Sequence, residues 1–377
     1  MELATGSRPL HVQHLLEVLR APAHCAAFEP HTWDRLIRVA RAARLLGTLS
    51  ARVRAVVSAE RLDPAVRRHL LAGQIEAEFR EQKMRYLLST IEPIVATAAA
   101  PCVLLKGSAY LAQGLALAEG RMPADVDVLV PRPALDDMER FLLGNGWQYD
   151  NDITPYDHRY YREWTHELPP LRCPGQALEL DLHHAILPPL GRLKPDTRAL
   201  FDAASPVKGT PFYVLAPADQ VLHAAAHLFH DSDCTNRLRD LVDIDGLLRT
   251  FAGGDSGFWR ALNERARLHR LGRPLWYAVT FARAWLGTPV PDDASVAIDA
   301  WRPARPAASL MLDLIERVLA PVDPEGEATR VRRWASYLLL GRGTWLRMPP
   351  RLVAQHSLHK LTEALLSRSV SVQSERA

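Results

Sequence analysis

Ala124-Asp125-Val126-Asp127-Val128-Leu129-Val130 sets two carboxylates two residues apart inside an otherwise apolar, β-branched run. A strand alternates its side chains with a period of two, so Asp125 and Asp127 share a face. Like charges side by side on one face repel, and folding alone gives no reason to keep them. A bound divalent cation gives one. The ordinary alternative is an edge strand carrying two solvated acids; the flanking Val and Leu residues argue instead for a buried strand.

Working outward, Val103-Leu104-Leu105-Lys106-Gly107-Ser108 reads as a strand running into a glycine turn. Glycine lets a backbone approach phosphate closely, and the N–H groups of a helix start form an anion nest. Ser108 adds a hydroxyl to such a nest, or serves simply as an N-cap. Lys106 either touches phosphate or is a solvated or ion-paired lysine. Arg121 is a phosphate clamp by its planar fork or a surface loop residue. Downstream, Leu178-Glu179-Leu180-Asp181-Leu182-His183 offers a third carboxylate, Asp181, with Glu179 on the same strand face as the alternative. His183 shares that face, where it orients a base, stabilises charge or hydrogen-bonds the backbone at a strand end. A glycine turn, an acid pair and a distant third acid are the parts of a magnesium-dependent nucleotidyl-transfer site.

The turn Leu105-Lys106-Gly107-Ser108, the strand from Arg121-Met122-Pro123 through Asp125-Val126-Asp127 to Val130, and Leu180-Asp181-Leu182-His183-His184 carry a family resemblance. Together they resemble the nucleotidyltransferases of the DNA polymerase β superfamily, and within it the bacterial nucleotidyltransferase-family proteins. The resemblance is close over about residues 95–190 and looser over the helical stretch 217–250. The spacing from Ser108 to Asp125 is longer than in the most compact members, which bears on the length of the first helix. The resemblance implies that Asp125, Asp127 and Asp181 are catalytic and bind one or two Mg²⁺ ions, with Mn²⁺ as a substitute. Hard oxygen ligands suit Mg²⁺, and two ions about 4 Å apart stabilise both oxygens of an in-line displacement. Lys106, Gly107, Ser108, Arg121 and His183 would hold or orient an NTP, ATP included. An NMP would pass to an acceptor hydroxyl or amine with release of pyrophosphate, the acceptor being a small molecule, a protein or an RNA. Arg237, Arg239, Asp240, Asp243 and Asp245 make a charged helix; Asp243 stands where related proteins carry an aspartate on a helix facing the cleft, while a solvated helix face is the simpler reading of the set.

Periodicity organises the rest of the chain. Residues 1–95 read as helical, with good helix formers from Pro64 to Thr90 and a kink or restart expected at Pro93. Residues 96–215 alternate short strands and helices: strands at 102–105, 124–130, 178–182 and 212–215, and helices at 109–118 and 135–143. Tyr160-Tyr161-Arg162-Glu163-Trp164-Thr165 reads as a further irregular strand. Residues 216–367 return to helix, with a proline-rich loop over 287–306, and 368–377 read as a disordered tail. The expected fold class is therefore an α/β (α+β) nucleotidyltransferase core with a short mixed sheet, flanked by N-terminal and C-terminal helical regions.

Composition narrows the alternatives. The 377 residues are 48% hydrophobic and 24% charged, enough for large cores and against wholesale disorder. A net charge of +3 gives no support to a broad nucleic-acid surface. Four scattered cysteines argue against a zinc ribbon or a disulfide framework, and point to a reducing cytoplasm. No apolar run approaches the ~20 residues of a membrane span. His223, His227 and His230 have helical spacing but lack the glutamate of the HExxH proteases, and are expected to line an interface between core and helical region. Two other functions fit the acid pair: a sugar-nucleotide glycosyltransferase of the DxD type, and an idle nucleotide-binding module. A helical N-terminal region and a glycine turn before the pair favour nucleotidyl transfer over the first. The survival of all three carboxylates counts against the second.

Overall fold

The computed structural model describes residues 8–231, 233–359 and 362; the tail expected over 368–377 lies outside the described residues. Among the described residues seven strands form one mixed sheet: β1 (Cys102–Leu104), β2 (Asp125–Leu129), β3 (Gln148–Tyr149), β4 (Leu171–Arg172), β5 (Glu179–His183), β6 (Ser205–Pro206) and β7 (Phe212–Val214). Their order across the sheet is β3-β4-β5-β2-β1-β7-β6. β2 lies at the centre, antiparallel to β1 and parallel to β5. Both its faces are covered, which explains the nearly continuous apolar runs in β1 and β2. The helix Pro64–Thr97 and the short helix Lys106–Ala112 pack against β2.

Parallel pairing of β2 with β5 sets Asp125 opposite Glu179, Asp127 opposite Asp181, and Leu129 opposite His183. Residues in register on neighbouring strands share a face. The sheet therefore lays the two acid segments side by side.

Helices Leu10–Arg20, Pro30–Ala42, Leu46–Arg54 and Pro64–Thr97 precede the sheet. Pro217–Ala226, Leu238–Gly254, Phe258–Leu268, Gly272–Phe281, Asp292–Asp299, Arg305–Leu319 and Arg330–Arg347 follow it. Pro217–Ala226 continues into a π turn, His227–Asp231. One cluster of buried apolar side chains extends from Val12 through the sheet to Leu339. Among the described residues no helix is long and apolar enough to cross a membrane.

Several expectations need correction. Tyr160–Thr165 is not a strand: Tyr160 to Trp164 belong to the helix Pro155–Trp164, and Thr165 caps its end. Thr154 Oγ1 accepts from Asp157 N at 3.1 Å, and the Asp157 carboxylate accepts from Thr154 N at 3.1 Å. This capping box, with Pro155 in the first turn, outweighs the β preference of the aromatic residues. The stretch 287–306 is not all loop: Asp292–Asp299 is helical, and Asp292 and Asp293 at its start favour the positive end of the helix dipole. The helix expected over 109–118 stops at Ala112, Gly114 takes φ +64°, and a separate turn spans Ala116–Ala118. The helix from Pro64 does not restart at Pro93 but runs on to Thr97.

Candidate active site

Asp125, Asp127 and Asp181 line one wall of a cleft of about 500 Å³. Asp127 is its most constrained member, 3% exposed. Lys106 Nζ donates to Asp127 Oδ1 at 2.7 Å, and His183 Nε2 donates to the same oxygen at 3.0 Å. Burial alone would raise the Asp127 carboxyl; Lys106 and His183 outweigh it and hold the group well below the usual carboxylate range. Burial likewise opposes the Lys106 ammonium, but Asp127 and Asp125 keep it charged and above its ordinary value.

Asp181 has the opposite environment. Burial, followed by the charges of Asp127 and Glu167, pushes it up to about 8. Its Oδ1 is buried and has no hydrogen-bond partner among the described residues. Asp125 is raised as well, by burial and then by Asp127. Three carboxyl groups meet here, and the charge of one keeps its neighbours from ionising freely. Glu179, in register with Asp125, turns away to pair with Arg172. The oxygen donors that could hold a hard divalent cation are therefore Asp125, Asp127 and Asp181.

The glycine turn is built for packing. Lys106 has φ +47°, a strained value for a side-chain-bearing residue, and its ion pair to Asp127 anchors it. A Cβ on Gly107 would lie 2.1 Å from Arg121 Nη1, so only glycine admits the guanidinium there. Ser108 is buried and its hydroxyl donates to the Leu105 carbonyl at 2.7 Å and the Asp127 carbonyl at 3.4 Å. Gly107 and Ser108 are not among the residues lining the cleft, whereas Lys106 and Arg121 are. Arg121 Nε donates to both Asp243 oxygens, at 3.2 and 3.0 Å.

The same cleft carries a set of arginines, two of them on the helix that the sequence reads as a solvated charged face, together with Asp240 and Asp243. Arg237, Arg239 and Arg44 line the cleft beside Lys106 and Arg121. Arg237 Nε donates to Asp240 Oδ2 at 2.6 Å, and its Nη2 donates to His227 Nε2 at 2.8 Å. Arg239 Nη1 donates to the Met122 carbonyl at 3.2 Å. Arg44 sits at φ +56° on the turn between Pro30–Ala42 and Leu46–Arg54, and its side chain makes no ion pair among the described residues. Glu167 also lines the cleft and stands 3.4 Å from His183 Nδ1. No motif in the sequence marks Arg44 or Glu167, because the folding of distant loops brings them in.

The histidine helix does not gather its three rings. His227 lines the cleft beside Arg237, while the charged neighbours of His230 are Arg342 and Arg347. Burial lowers His184 to about 4, His223 to about 3 and His230 to about 4. A histidine whose folded pKa lies below its unfolded value of about 6.5 contributes stability that is complete above 6.5 and lost as pH falls. Urea midpoints are therefore expected to drop between pH 6.5 and 4, each histidine contributing up to about 1.4 kcal/mol per pH unit. A midpoint unchanged over that range would contradict the burial of these rings.

A family model described as an uncharacterised nucleotidyltransferase matches residues 29–287. No curated protein and no solved structure matches the chain. The family match takes in Arg44, the whole sheet and the helix Leu238–Gly254, so the acids and the arginines of the cleft lie within it. The chain belongs to this nucleotidyltransferase family.

Proposed function

We propose that the cleft moves a nucleoside monophosphate from an NTP to an acceptor hydroxyl or amine, releasing pyrophosphate. The observation that carries this reading is the in-register pair Asp127 and Asp181, with Asp125 two residues along the strand, in one cleft with Lys106 and four arginines. Its volume of about 500 Å³ falls within the range of small-molecule sites, roughly 300–1,000 Å³.

The residues suit Mg²⁺: the donors are hard oxygens, and the buried Asp181 Oδ1 lacks a partner among the described residues. Asp125, Asp127 and Asp181 would hold the ion, which when bound supplies positive charge against the phosphate oxygens. Lys106, Arg121, Arg237, Arg239 and Arg44 meet the triphosphate, a task suited to planar guanidinium forks. This shifts phosphate binding from the Ser108 hydroxyl, already committed to two carbonyls, to the side chains around the turn. Gly107 serves by admitting Arg121. Asp181 takes the acceptor's proton as the acceptor oxygen or nitrogen bonds to the α-phosphorus and the bond to pyrophosphate breaks. His183 orients Asp127.

Incubation with Mg²⁺ and each NTP labelled at the α-phosphate, beside aminosugar, RNA and protein acceptors, tests the proposal. Label on an acceptor with equimolar pyrophosphate is expected, and none with the Asp125→Ala/Asp127→Ala chain. Transfer of a γ-phosphate label with NDP as product would overturn it.

A further inference from the structure

We infer that His166, Glu167 and His183 form a separate metal site, for an imidazole-preferring divalent ion such as Zn²⁺, on the rim of the acid wall. One nitrogen of each ring and one Glu167 carboxylate oxygen lie within 4.8 Å of one another. The backbone holds them there. The His166 carbonyl accepts from His184 N at 2.8 Å, Leu168 N donates to the Leu182 carbonyl at 2.9 Å, and Glu167 bridges antiparallel to His183. The segment is thereby attached along the end of β5.

His183 is oriented as a metal-ligating imidazole is. Its Nε2 donates to Asp127 Oδ1 at 3.0 Å, and a carboxylate on the far nitrogen fixes the ring of many ligating histidines. Its Nδ1 is buried, has no hydrogen bond among the described residues, and stands 3.4 Å from Glu167 Oε2. His166 Nε2 lies 4.0 Å from the same oxygen, and His166 Nδ1 is another buried atom without a partner among the described residues. Buried polar atoms are rarely left unmet, and a bound ion would satisfy the one on His183. Ligand atoms around a tetrahedral Zn²⁺ stand roughly 3.4 Å apart when Zn–N is about 2.0–2.1 Å. Small side-chain rotations close the remaining gap. Three protein ligands leave a fourth position, and of the three Glu167 lines the cleft. Two imidazoles and a carboxylate select Zn²⁺ and its transition-metal neighbours, whereas Mg²⁺ prefers oxygen alone.

The test is calorimetric titration of the chelator-stripped chain with Zn²⁺, and absorption spectroscopy with Co²⁺ as a visible substitute. One ion per chain is expected, with the visible d–d bands of tetrahedral Co²⁺. Affinity should fall at least tenfold in His166→Ala and Glu167→Gln, each checked for folding by circular dichroism. It should persist in Asp125→Ala/Asp181→Ala, so that failure here and failure of the nucleotidyl reading are told apart. Equal Zn²⁺ binding by the His166 variant, or loss of binding only in the Asp125/Asp181 variant, would overturn the site. If His166→Ala does not fold, the wild-type Co²⁺ spectrum decides, and the absence of tetrahedral bands overturns it.

Discussion

The Asp127→Ala chain is expected to transfer no nucleotide and to unfold more readily than the native protein. Asp127 is nearly inaccessible and holds Lys106 Nζ and His183 Nε2 on one oxygen. Its removal leaves the largely buried Lys106 ammonium with only Asp125 to offset it, and breaking a buried pair in this way costs about 3–5 kcal/mol. Lys106 also loses the contact that anchors its left-handed backbone. Loss of a preorganised charge at a reacting phosphate typically costs on the order of 10²–10³ in rate, and a metal-holding carboxylate should cost at least that. The urea midpoint and α-label transfer measure the two effects separately. Lys106→Met/Asp127→Ala should recover part of the stability and none of the transfer. A single variant as stable as the native chain would show that the Lys106–Asp127 pair does not hold the turn.

Gly47→Ala should produce the largest loss of stability among the glycine variants in helices, although it lies outside the sheet. A Cβ there would stand 2.3 Å from the Gly120 carbonyl oxygen and 2.8 Å from Ala77 Cβ. Gly120 has φ +71°, and a Cβ on it would lie 2.4 Å from the Gly47 carbonyl oxygen. Two backbones meet here with no side chain between them, so neither can yield by rotating a bond. Overpacking costs about 1–3 kcal/mol, and more where only backbone can move, so about 3 kcal/mol is expected. Because Gly120 precedes Arg121, the displacement should also disturb the Arg121–Asp243 pair. Gly253→Ala is the control, with nothing within 4 Å of its Cβ and a helix propensity gain of up to about 1 kcal/mol. A drop in urea midpoint at constant slope would report the first effect, and equal midpoints for both variants would contradict it.

The period-two pattern made β2 and β5 legible, and with them the shared face of Asp125, Asp127, Asp181 and His183. It could not choose between Glu179 and Asp181, because both lie on that face. Arg172, on the neighbouring strand β4, draws Glu179 away. The arginines of the cleft were illegible for a related reason. Arg237 and Arg239 read as part of a solvated charged helix face and Arg44 carries no local signal; only tertiary packing brings the three into the cleft of the acids. Ser108 was read for its position before the acid pair, but its hydroxyl goes to two main-chain carbonyls instead. The helix Pro155–Trp164 was open to a closer reading. Thr154-Pro155-x-Asp157 is a helix start, but the aromatic run that follows it suggested a strand.

The most direct test of the nucleotide site is the heat stability of the purified chain with each NTP, in Mg²⁺ and in EDTA, beside Asp125→Ala/Asp127→Ala. A ligand at tenfold excess over its Kd adds about 1.4 kcal/mol to the native state. The account predicts a rise in Tm with at least one NTP that requires Mg²⁺ and vanishes in the double variant. A rise with a UDP- or GDP-sugar and none with any NTP, or no rise with either, would contradict it.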